Sequence, residues 1–301
     1  MFSVLYITIT NECNLRCPHC YKDDFQKSLI SIDDIKSVIE KYPTIKNIIL
    51  YGGEPLLPQY NSNVKTIIDY LIKKNKNISC TSNLSFKKLT DVQLSIIKEV
   101  DISTSWNPNR FNNTTIQQWL NNLNIISSFK DVHLLVTLDK DLIVLHPNDV
   151  YTFLETLPVK SIKFEPYIGS GIMRPKQTDV DNWLNEYYKL CNGDEKYVLF
   201  YDIQKSIVEN THYGIFCRNC DKHILTLYPN GELYCCPNSN TKLTNIKDFS
   251  YRMKKINSVC FNCKYFNLCN GGCPLASNKT NECIGYPTLF KSIIDKINIC
   301  K

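Results

Sequence analysis

Cysteine is the residue type that says most about this 301-residue chain, which contains fifteen. Cys13, Cys17 and Cys20 lie in one short segment directly after an apolar run. Three thiolates on one loop can bind three irons of a cubane iron–sulfur cluster and leave the fourth iron open to a small chelating ligand. A zinc knuckle or a partial disulfide set is the alternative, but zinc needs a fourth ligand nearby, and His19 is awkwardly placed for it.

A second candidate site is the segment Gly52-Gly53-Glu54-Pro55. Two glycines let the backbone approach a ligand closely and expose its amide and carbonyl groups. Glu54 can accept hydrogen bonds from an ammonium group, and Pro55 fixes the direction in which the chain leaves. Such a segment is often only a turn. Its place at the end of the next strand-like run after the cysteine loop favours a ligand site.

The last ninety residues contain a further group of cysteines. They are Cys217, Cys220, Cys235, Cys236, Cys260, Cys263, Cys269, Cys273 and Cys283. Two structural zinc ions could use eight of them. Between them, Asn230-Gly231 lies in a run that predicts a β-hairpin. Cys80 and Cys191 fit neither group, and we interpret both as buried free cysteines.

Alternating strand and helix patterns must position these residues. The predicted strands are Val4–Ile9, Asn47–Tyr51, Ile78–Thr81, Asp101–Ser105, Val132–Leu138 and Val159–Phe164. Helices are predicted between them, beginning near Ser31, Val64, Thr90, Thr114 and Asn148. The repeats predict an α/β fold with a parallel sheet, and six units suit a partial (β/α)6 barrel. The loop with Cys13, Cys17 and Cys20 (the cysteine loop) and the segment Gly52-Gly53-Glu54-Pro55 (the glycine turn) then both lie at the carboxyl edge of the sheet, where such folds bind ligands.

The same patterns predict three regions. Residues 1–170 form the partial barrel, residues 171–212 a helical connector, and residues 213–301 a small, cysteine-rich, cluster-binding domain. The spacing of apolar residues near Phe290 predicts a closing amphipathic helix in the last of these regions.

The spacing of Cys13, Cys17 and Cys20, taken together with Gly52-Gly53-Glu54-Pro55, resembles the radical S-adenosylmethionine (radical SAM) superfamily over roughly residues 1–170. The resemblance implies that the open iron chelates the amino and carboxylate groups of S-adenosylmethionine. It also implies that cleavage of this cofactor yields a 5′-deoxyadenosyl radical, which abstracts hydrogen from a substrate.

The resemblance also assigns cofactor-binding residues by position. Gly52, Gly53 and Glu54 would contact the methionine amino group. The residue before the third cysteine, usually aromatic in the family and close to the adenine, is His19 here. The polar residues that follow the third and fourth strands, where the family often contacts the ribose and carboxylate, are Asn83, Ser105 and Arg110. A capping or surface role is the alternative for these three.

The C-terminal cysteines resemble the SPASM extension of radical SAM enzymes, because seven cysteines and Gly231 agree with it in order. The resemblance implies two auxiliary clusters, and hence three 4Fe–4S clusters in the chain. The implied ligands of the first are Cys217, Cys220, Cys236 and Cys273. Those of the second are Cys260, Cys263, Cys269 and Cys283. Cys235 competes with Cys236, and the spacing from Gly231 favours Cys236.

The resemblance to SPASM enzymes implies peptide or protein substrates that are modified at unactivated C–H positions. Fully ligated auxiliary clusters suit electron transfer and therefore a net oxidation. We predict a maturase that installs a crosslink, either a thioether or a C–C or C–O bond, in a ribosomally made peptide. A peptide epimerase remains an alternative, with Cys80, Cys191 or Cys235 as the hydrogen donor. So does sulfatase-type protein oxidation, although Pro237 stands where that family has an aspartate base. A non-catalytic zinc or redox module is the alternative from another class.

Composition and charge limit which partners and which cellular location we expect. No segment resembles a signal peptide, and no run approaches the roughly eighteen apolar residues of a membrane span, so we predict a cytoplasmic protein without membrane contact. Such a protein with this much cysteine should hold metal rather than disulfides. Bound clusters add negative charge that offsets the formal charge of +6, so the basic balance does not indicate nucleic-acid binding. The expected partners are a precursor peptide and a reductant such as flavodoxin or ferredoxin. No leader-binding module fits before the first strand, so a separate leader-peptide-binding protein or the core itself must recognise the peptide.

Overall fold

The structure is a computed structural model, and it describes residues 2–20, 22, 25–169, 171–210, 224–238, 256–273, 275–276 and 283–299. Cys217, Cys220 and Cys300 lie outside these residues. The chain divides into two compact units. The first is Met1–Ser105, Asn109–His133 and Asn219–Phe249, and the second is Trp106–Pro108, Leu134–Arg218 and Ser250–Lys301. The domain boundaries placed near 170 and 213 rest on sequence motifs and stay a prediction.

Parallel strands form the centre of the first unit. They are β1 (Val4–Thr8), β2 (Asn47–Tyr51), β3 (Asn77–Thr81) and most of β4 (Asp101–Trp106). Val4 lies opposite Asn47, and Asn47 lies opposite Asn77, so the first three strands begin in register. The next residue of each strand is a buried aliphatic residue. Because the strands are parallel and in register, the loops after them start at the same edge.

A hairpin extends this sheet beyond β1. Its first strand, β7 (Ile224–Leu227), pairs with β1 in parallel, and β8 (Leu233–Tyr234) returns antiparallel to β7. Gly231 in the connecting turn has a φ of +77°, a conformation that glycine adopts without steric cost. The predicted hairpin is therefore confirmed, and it belongs to the same sheet as the first cysteine loop.

Helices α1 (Ile32–Lys41), α2 (Asn61–Lys73), α3 (Asp91–Glu99) and α4 (Asn113–Ser127) connect the strands of this unit. Ser31 Oγ accepts from the Asp33 amide at 3.2 Å, as expected of an N-cap. Thr90 and Gln93 form a reciprocal capping box. The fourth helix begins just before Thr114, because the side chain of Asn112 accepts from the first free amides.

The second unit contains most of β5 and the elements after it up to α8, together with the C-terminal helices. Their bounds are β5 (Val132–Leu138), α5 (Lys140–Ile143), α6 (Pro147–Glu155), β6 (Ser161–Pro166), α7 (Gln177–Cys191), α8 (Val198–Val208), α9 (Phe266–Cys269) and α10 (Pro287–Ile299). Aromatic rings fill its interior: Trp183 stacks on Tyr187 at 5.1 Å, and Phe164 meets Tyr187 edge-on at 4.9 Å.

Three helices that the structure describes in the second unit were not predicted. Helices α5 and α9 have four residues each and are too short to show a periodic pattern. Helix α8 opens with four consecutive apolar residues, Val198 to Tyr201, and such a run hides helical spacing. The closing helix near Phe290 is present as α10, with Leu289, Phe290 and Ile293 buried.

The eight strands that the structure describes are ordered β6-β5-β4-β3-β2-β1-β7-β8. All six predicted strand–helix repeats are present in the predicted order, which confirms the α/β fold class, and the hairpin supplies the two further strands. Among the helices that the structure describes, none is long and apolar enough to cross a membrane.

Candidate active site

The first cysteine loop starts directly after β1. Cys13, Cys17 and Cys20 are partly buried, and the Cys20 amide donates to the Cys17 carbonyl at 3.0 Å, which closes a tight turn. The Sγ of Cys13 accepts from the Leu15 amide at 3.4 Å. Burial raises the pKa of the Cys13 thiol to about 11. The free thiol is therefore protonated at neutral pH, and a metal that binds there must displace the proton.

Two asparagine side chains fix the Cys13 end of the loop. Asn83, which follows β3, donates from Nδ2 to Asn14 Oδ1 at 2.8 Å, and the same Nδ2 lies 3.7 Å from Cys13 Sγ. Asn14 in turn donates to the Ser85 carbonyl at 2.7 Å. The structure thus brings the predicted residue Asn83 to the cysteine loop. Asn14 was not predicted, and its place beside Cys13 is the only signal that the sequence offers.

The glycine turn is pressed against the same loop. The Gly53 amide donates to the Thr10 carbonyl at 2.7 Å, and the Glu54 amide donates to the Glu12 carbonyl at 2.9 Å. A Cβ on Gly53 would lie 2.2 Å from the Glu12 carbonyl oxygen. Gly52 has a φ of +145°, and a Cβ there would lie 2.5 Å from the Thr10 carbonyl oxygen. Both positions therefore require glycine, because the turn and the cysteine loop approach each other backbone to backbone.

The carboxylate of Glu54 is fully buried and joins the ends of β2 and β3. Its Oε1 accepts from the Leu56 amide at 2.9 Å and from the Ser82 hydroxyl at 2.8 Å, and its Oε2 accepts from the Asn83 amide at 2.6 Å. Burial raises the pKa of Glu54 to about 7, while these three donors oppose the rise. Glu54 therefore holds the segment that carries Asn83. Its predicted contact with an ammonium group stays a prediction.

Arg110 follows β4 and adds a positive charge to this site. Its field lowers the pKa of both Cys17 and Glu54, against the larger effect of burial. The guanidinium lies 5.5 Å from the Phe111 ring centre, and its buried Nε has no hydrogen-bond partner. Because buried donors are rarely left without an acceptor, this arrangement favours an anionic ligand beside the cysteine loop.

The two other predicted cofactor residues are Ser105 and His19. Ser105 is a half-buried residue of β4. His19 is only 8% exposed and lies between Cys17 and Cys20 in the loop. The contact of His19 with adenine and that of Ser105 with the ribose or carboxylate stay predictions.

Cys236 follows β8 in the first unit and is buried, as is Cys235. The Sγ of Cys236 accepts from the Asn238 amide at 3.4 Å. The Tyr51 hydroxyl donates to Asn238 Oδ1 at 3.2 Å. Since Tyr51 directly precedes Gly52, the Cys236 segment is tied to the strand that carries the glycine turn. Sequence reasoning missed Tyr51, because its partner lies far away in the chain.

Four thiols of the second unit lie close enough to affect one another's pKa. They are Cys260, Cys263, Cys269 and Cys283. Burial is the main cause that raises the pKa of Cys269 to about 12, and Cys283 and Cys260 add to it. A Cβ on Gly285 would lie 2.7 Å from Cys269 Sγ and 3.7 Å from Cys283 Sγ. The structure therefore brings near one another the four cysteines that the resemblance assigns to one auxiliary cluster, and that assignment stays a prediction.

The donor sets fit iron–sulfur clusters. Thiolates are the ligands that iron–sulfur clusters use, and in a cubane cluster each thiolate binds a different iron. Among the described residues, no group of three or more His, Cys, Asp and Glu side chains is arranged around a single metal ion. Thiol groups of this kind, with the unpartnered Arg110 Nε beside the first of them, match a cluster and an anionic ligand.

Comparison with known proteins agrees with this geometry. The profile described as the Radical SAM superfamily matches residues 7–136. The serine-type anaerobic sulfatase-maturating enzyme of Klebsiella aerogenes is 21% identical over 97% of this chain and 85% of its own length. The solved structure of native anSMEcpe with bound AdoMet and Cp18Cys peptide has a TM-score of 0.73 at 16% identity, covering 99% of this chain and 98% of the other. Streptococcus suis SuiB bound to precursor peptide SuiA has a TM-score of 0.62 at 12% identity, covering 93% and 74%.

The matched segment contains the first cysteine loop, the glycine turn, Asn83 and Arg110. The superfamily implies a 4Fe–4S cluster and S-adenosylmethionine as cofactors. Beyond that segment, the fold is shared along nearly the whole chain. These relatives are enzymes, which decides against a non-catalytic module. Residues 7–136 are thus a radical SAM domain, and the chain is an enzyme related to sulfatase-maturating and peptide-modifying enzymes.

Proposed function

We propose that this enzyme oxidises a ribosomally made peptide at an unactivated C–H position and closes a crosslink, either a thioether or a C–C or C–O bond. The observation that carries the proposal is the second thiol group, Cys260, Cys263, Cys269 and Cys283, which lies apart in the chain from the first cysteine loop. Closing a crosslink removes two hydrogen atoms from the peptide. A protein that performs such a two-electron oxidation benefits from a redox centre besides the one that generates the radical.

The first site would hold its cofactors with residues that the fold gathers at one sheet edge. We assign Cys13, Cys17 and Cys20 to the 4Fe–4S cluster. S-adenosylmethionine supplies a strongly oxidising carbon radical when bound. The residues assigned to its binding are His19, Gly52, Gly53, Glu54, Asn83, Ser105 and Arg110.

In the first site, the residues of the chain would hold the bound groups in a fixed orientation. Glu54 holds the Asn83 amide, and Asn83 holds Asn14 beside Cys13. The close contact of Gly53 with the loop backbone leaves no space for water between them. Arg110 can donate from its free Nε to a carboxylate. A rigid arrangement of this kind keeps a reactive group away from solvent and from the wrong C–H bonds.

We further assign two auxiliary 4Fe–4S clusters. The ligands of the first would be Cys217, Cys220, Cys236 and Cys273, of which Cys217 and Cys220 lie outside the described residues. The ligands of the second would be Cys260, Cys263, Cys269 and Cys283. Interleaved ligands would stabilise a segment with few helices and strands of its own, because metal binding contributes folding free energy there.

Sulfatase-type maturation is the second candidate, and the comparisons favour it. A sulfatase-maturating enzyme matches over 97% of this chain, and a peptide-bound anSMEcpe structure shares its fold. Against it, Pro237 stands where the resemblance expects an aspartate base, and the next residue, Asn238, carries no acid. We therefore rank crosslinking first.

The proposed partners follow from the same chemistry. Relatives of this chain are described with peptide substrates, SuiB with SuiA and anSMEcpe with Cp18Cys. We propose that this enzyme takes a precursor peptide, presented by a leader-binding protein or by the core itself. A flavodoxin or ferredoxin in the cytoplasm would supply electrons.

The test is the mass of the product formed anaerobically from the reconstituted enzyme, S-adenosylmethionine, a reductant and the short peptide encoded beside its gene. Crosslinking predicts loss of two hydrogens, no reaction with hydroxylamine, and no fragmentation between the joined residues in tandem spectra. An aldehyde that reacts with hydroxylamine would instead establish sulfatase-type oxidation. A peptide with unchanged formula that gains one deuterium from heavy water would establish epimerisation.

A further inference from the structure

The loop that follows β3, residues 82–86, is buried along its whole length. Each of its residues is at most 6% exposed, the largest value being that of Phe86. A buried loop must find a partner for each of its backbone amides, because water does not reach them. All five amides of this loop donate a hydrogen bond, at distances of 2.6 to 3.1 Å. Hydrogen bonds therefore fix the conformation of the 82–86 loop.

Leu84, in the middle of this loop, has a backbone conformation that leucine rarely adopts. Its φ is +51°, in the left-handed region, where Cβ is crowded by the backbone. The other described residues with positive φ, glycine aside, are all asparagine, which tolerates this region better. A strained conformation persists only where the surrounding contacts hold it, and such residues cluster at functional sites. The contacts that hold Leu84 are therefore of functional interest.

Three hydrogen bonds close a ring between the 82–86 loop and Asn14 of the cysteine loop. Asn83 Nδ2 donates to Asn14 Oδ1 at 2.8 Å, and Asn14 Nδ2 donates to the Ser85 carbonyl at 2.7 Å. The Ser85 amide donates back to Asn83 Oδ1 at 2.8 Å. Because each asparagine uses both ends of its side-chain amide, the ring fixes the orientation of both side chains. Asn83 Nδ2 then lies 3.7 Å from Cys13 Sγ.

Asn122 of α4 holds the same loop through its main chain. Its Nδ2 donates to the Leu84 carbonyl at 2.9 Å and to the Phe86 carbonyl at 2.8 Å. These two acceptors flank Ser85, the residue that closes the ring with Asn14. Asn122 is only 2% exposed, so solvent does not readily replace the two hydrogen bonds. All of these residues belong to the first unit.

We propose that Asn122 is a positioning residue of the cofactor site and that it acts through Asn83. By holding the strained loop on both sides of Ser85, it keeps the Asn83 side chain beside Cys13 and thereby sets the affinity for S-adenosylmethionine. The inference rests on the proposed function only in assigning Asn83 to the binding of that cofactor. Since Asn122 donates to the main chain, its effect on the site depends on where it places the loop.

The test is a double-mutant cycle of N83A and N122A. Calorimetry on the anaerobically reconstituted enzyme measures the affinity for S-adenosylmethionine. N122A should weaken binding about fivefold, as is expected of N83A, because the Asn83 side chain is no longer held in place. The double variant N83A/N122A should bind no more weakly than N83A. Two residues that acted independently would multiply their losses to about twenty-five-fold.

N61A is the matched control. Asn61 is also a buried asparagine of a helix in the first unit, 5% exposed, and its Nδ2 donates to Thr90 Oγ1 at 3.3 Å. N61A and N122A should both lower the midpoint of thermal unfolding, but N61A should leave the affinity unchanged. N122L is a second variant, because leucine fills similar space and donates no hydrogen bond. It should weaken binding at least as much as N122A.

Four results would overturn the proposal. They are a wild-type affinity in N122A, a loss in N122A without one in N83A, losses that multiply in the double variant, and an equal loss in N61A. Failure of both N122A and N122L to fold, where N61A folds, would also overturn it, because Asn122 would then support the whole unit. Failure of the proposed function is seen separately, because this binding is measured without peptide: the product mass would show no crosslink while the cycle still showed dependence on Asn83.

Discussion

The loop with Cys13, Cys17 and Cys20 starts where a buried parallel strand ends, and the neighbouring strands supply residues that hold it. The cysteines between 260 and 283 lie in short turns with one four-residue helix, α9, among them. Side chains from other elements hold these turns. Arg174 binds the carbonyls after Cys273, and Asp181 of α7 accepts from the Thr288 and Leu289 amides at 2.8 and 3.0 Å at the start of α10.

This difference shows two ways to build a thiol site. A sheet edge fixes the first loop through strand register and backbone contact, so the loop should keep its shape without metal. The backbone hydrogen bonds of the second region are local and join residues three or four positions apart, and side chains of other elements hold its turns. We therefore expect a bound metal to contribute to its stability. Under the proposed function, the first region would bind and release a cofactor, and the second would retain a redox centre.

The largest effect should follow the replacement of Cys13, Cys17 and Cys20 by alanine together. Formation of 5′-deoxyadenosine should fall by at least about a thousandfold, because the cofactor chemistry is lost. The C-terminal clusters should remain, visible as retained iron and sulfide. Cys80→Ala is the control, since Cys80 is fully buried in β3 and belongs to neither group. Deoxyadenosine formation in the triple variant would refute the assignment of the first site.

Removing the metal should affect hydrogen exchange in the two regions differently. After anaerobic chelation, amides of residues 256–273 and 283–286 should exchange with deuterium at least about a hundredfold faster, whereas those of β1 to β3 should keep their protection. Hydrogen exchange measured by mass spectrometry resolves both regions in one experiment. Equal loss of protection in both regions would show that they do not differ in their dependence on metal.

Asp181→Ala should weaken the second region alone. Asp181 is 4% exposed, and its carboxylate accepts the two amides at the start of α10. Hydrogen bonds to a charged group contribute roughly 1.5–3 kcal/mol, so the amides of α10 should exchange about thirtyfold faster. Asp179→Ala, an exposed site on the same helix, should leave the exchange rates unchanged. A wild-type rate in Asp181→Ala would show that packing alone holds α10.

Asn83→Ala should have a smaller effect, confined to the first region. It removes the bond to Asn14 and the contact with Cys13, each close to the proposed cofactor. With about 1 kcal/mol lost, the affinity for S-adenosylmethionine should fall about fivefold, as measured by calorimetry on the reconstituted enzyme. The control is Asn77→Ala, because Asn77 is exposed at the start of β3, the strand that Asn83 follows. An unchanged affinity in Asn83→Ala would remove Asn83 from the binding site.

Much of the first unit could be predicted from the sequence, because its signals are local. The bounds of β2 match the prediction, and the N-caps Ser31 and Thr90 act through amides two and three residues away. The bounds of β5, most of which belongs to the second unit, match as well. The turn residues Asn230-Gly231 correctly predicted the hairpin. Helices α5, α8 and α9 were missed because none of them shows clear helical spacing.

The sequence by itself determined the kind of chemistry, because the spacing of Cys13, Cys17 and Cys20 and the Gly52-Gly53-Glu54-Pro55 segment are short patterns. Only the tertiary structure decided what holds these groups. It paired Glu54 with the Asn83 amide, Tyr51 with Asn238, and Arg174 with the Ala276 carbonyl. Such pairs join residues that lie tens to hundreds of positions apart and so leave no local pattern. They form because a buried charge or amide must find a partner wherever the fold places one.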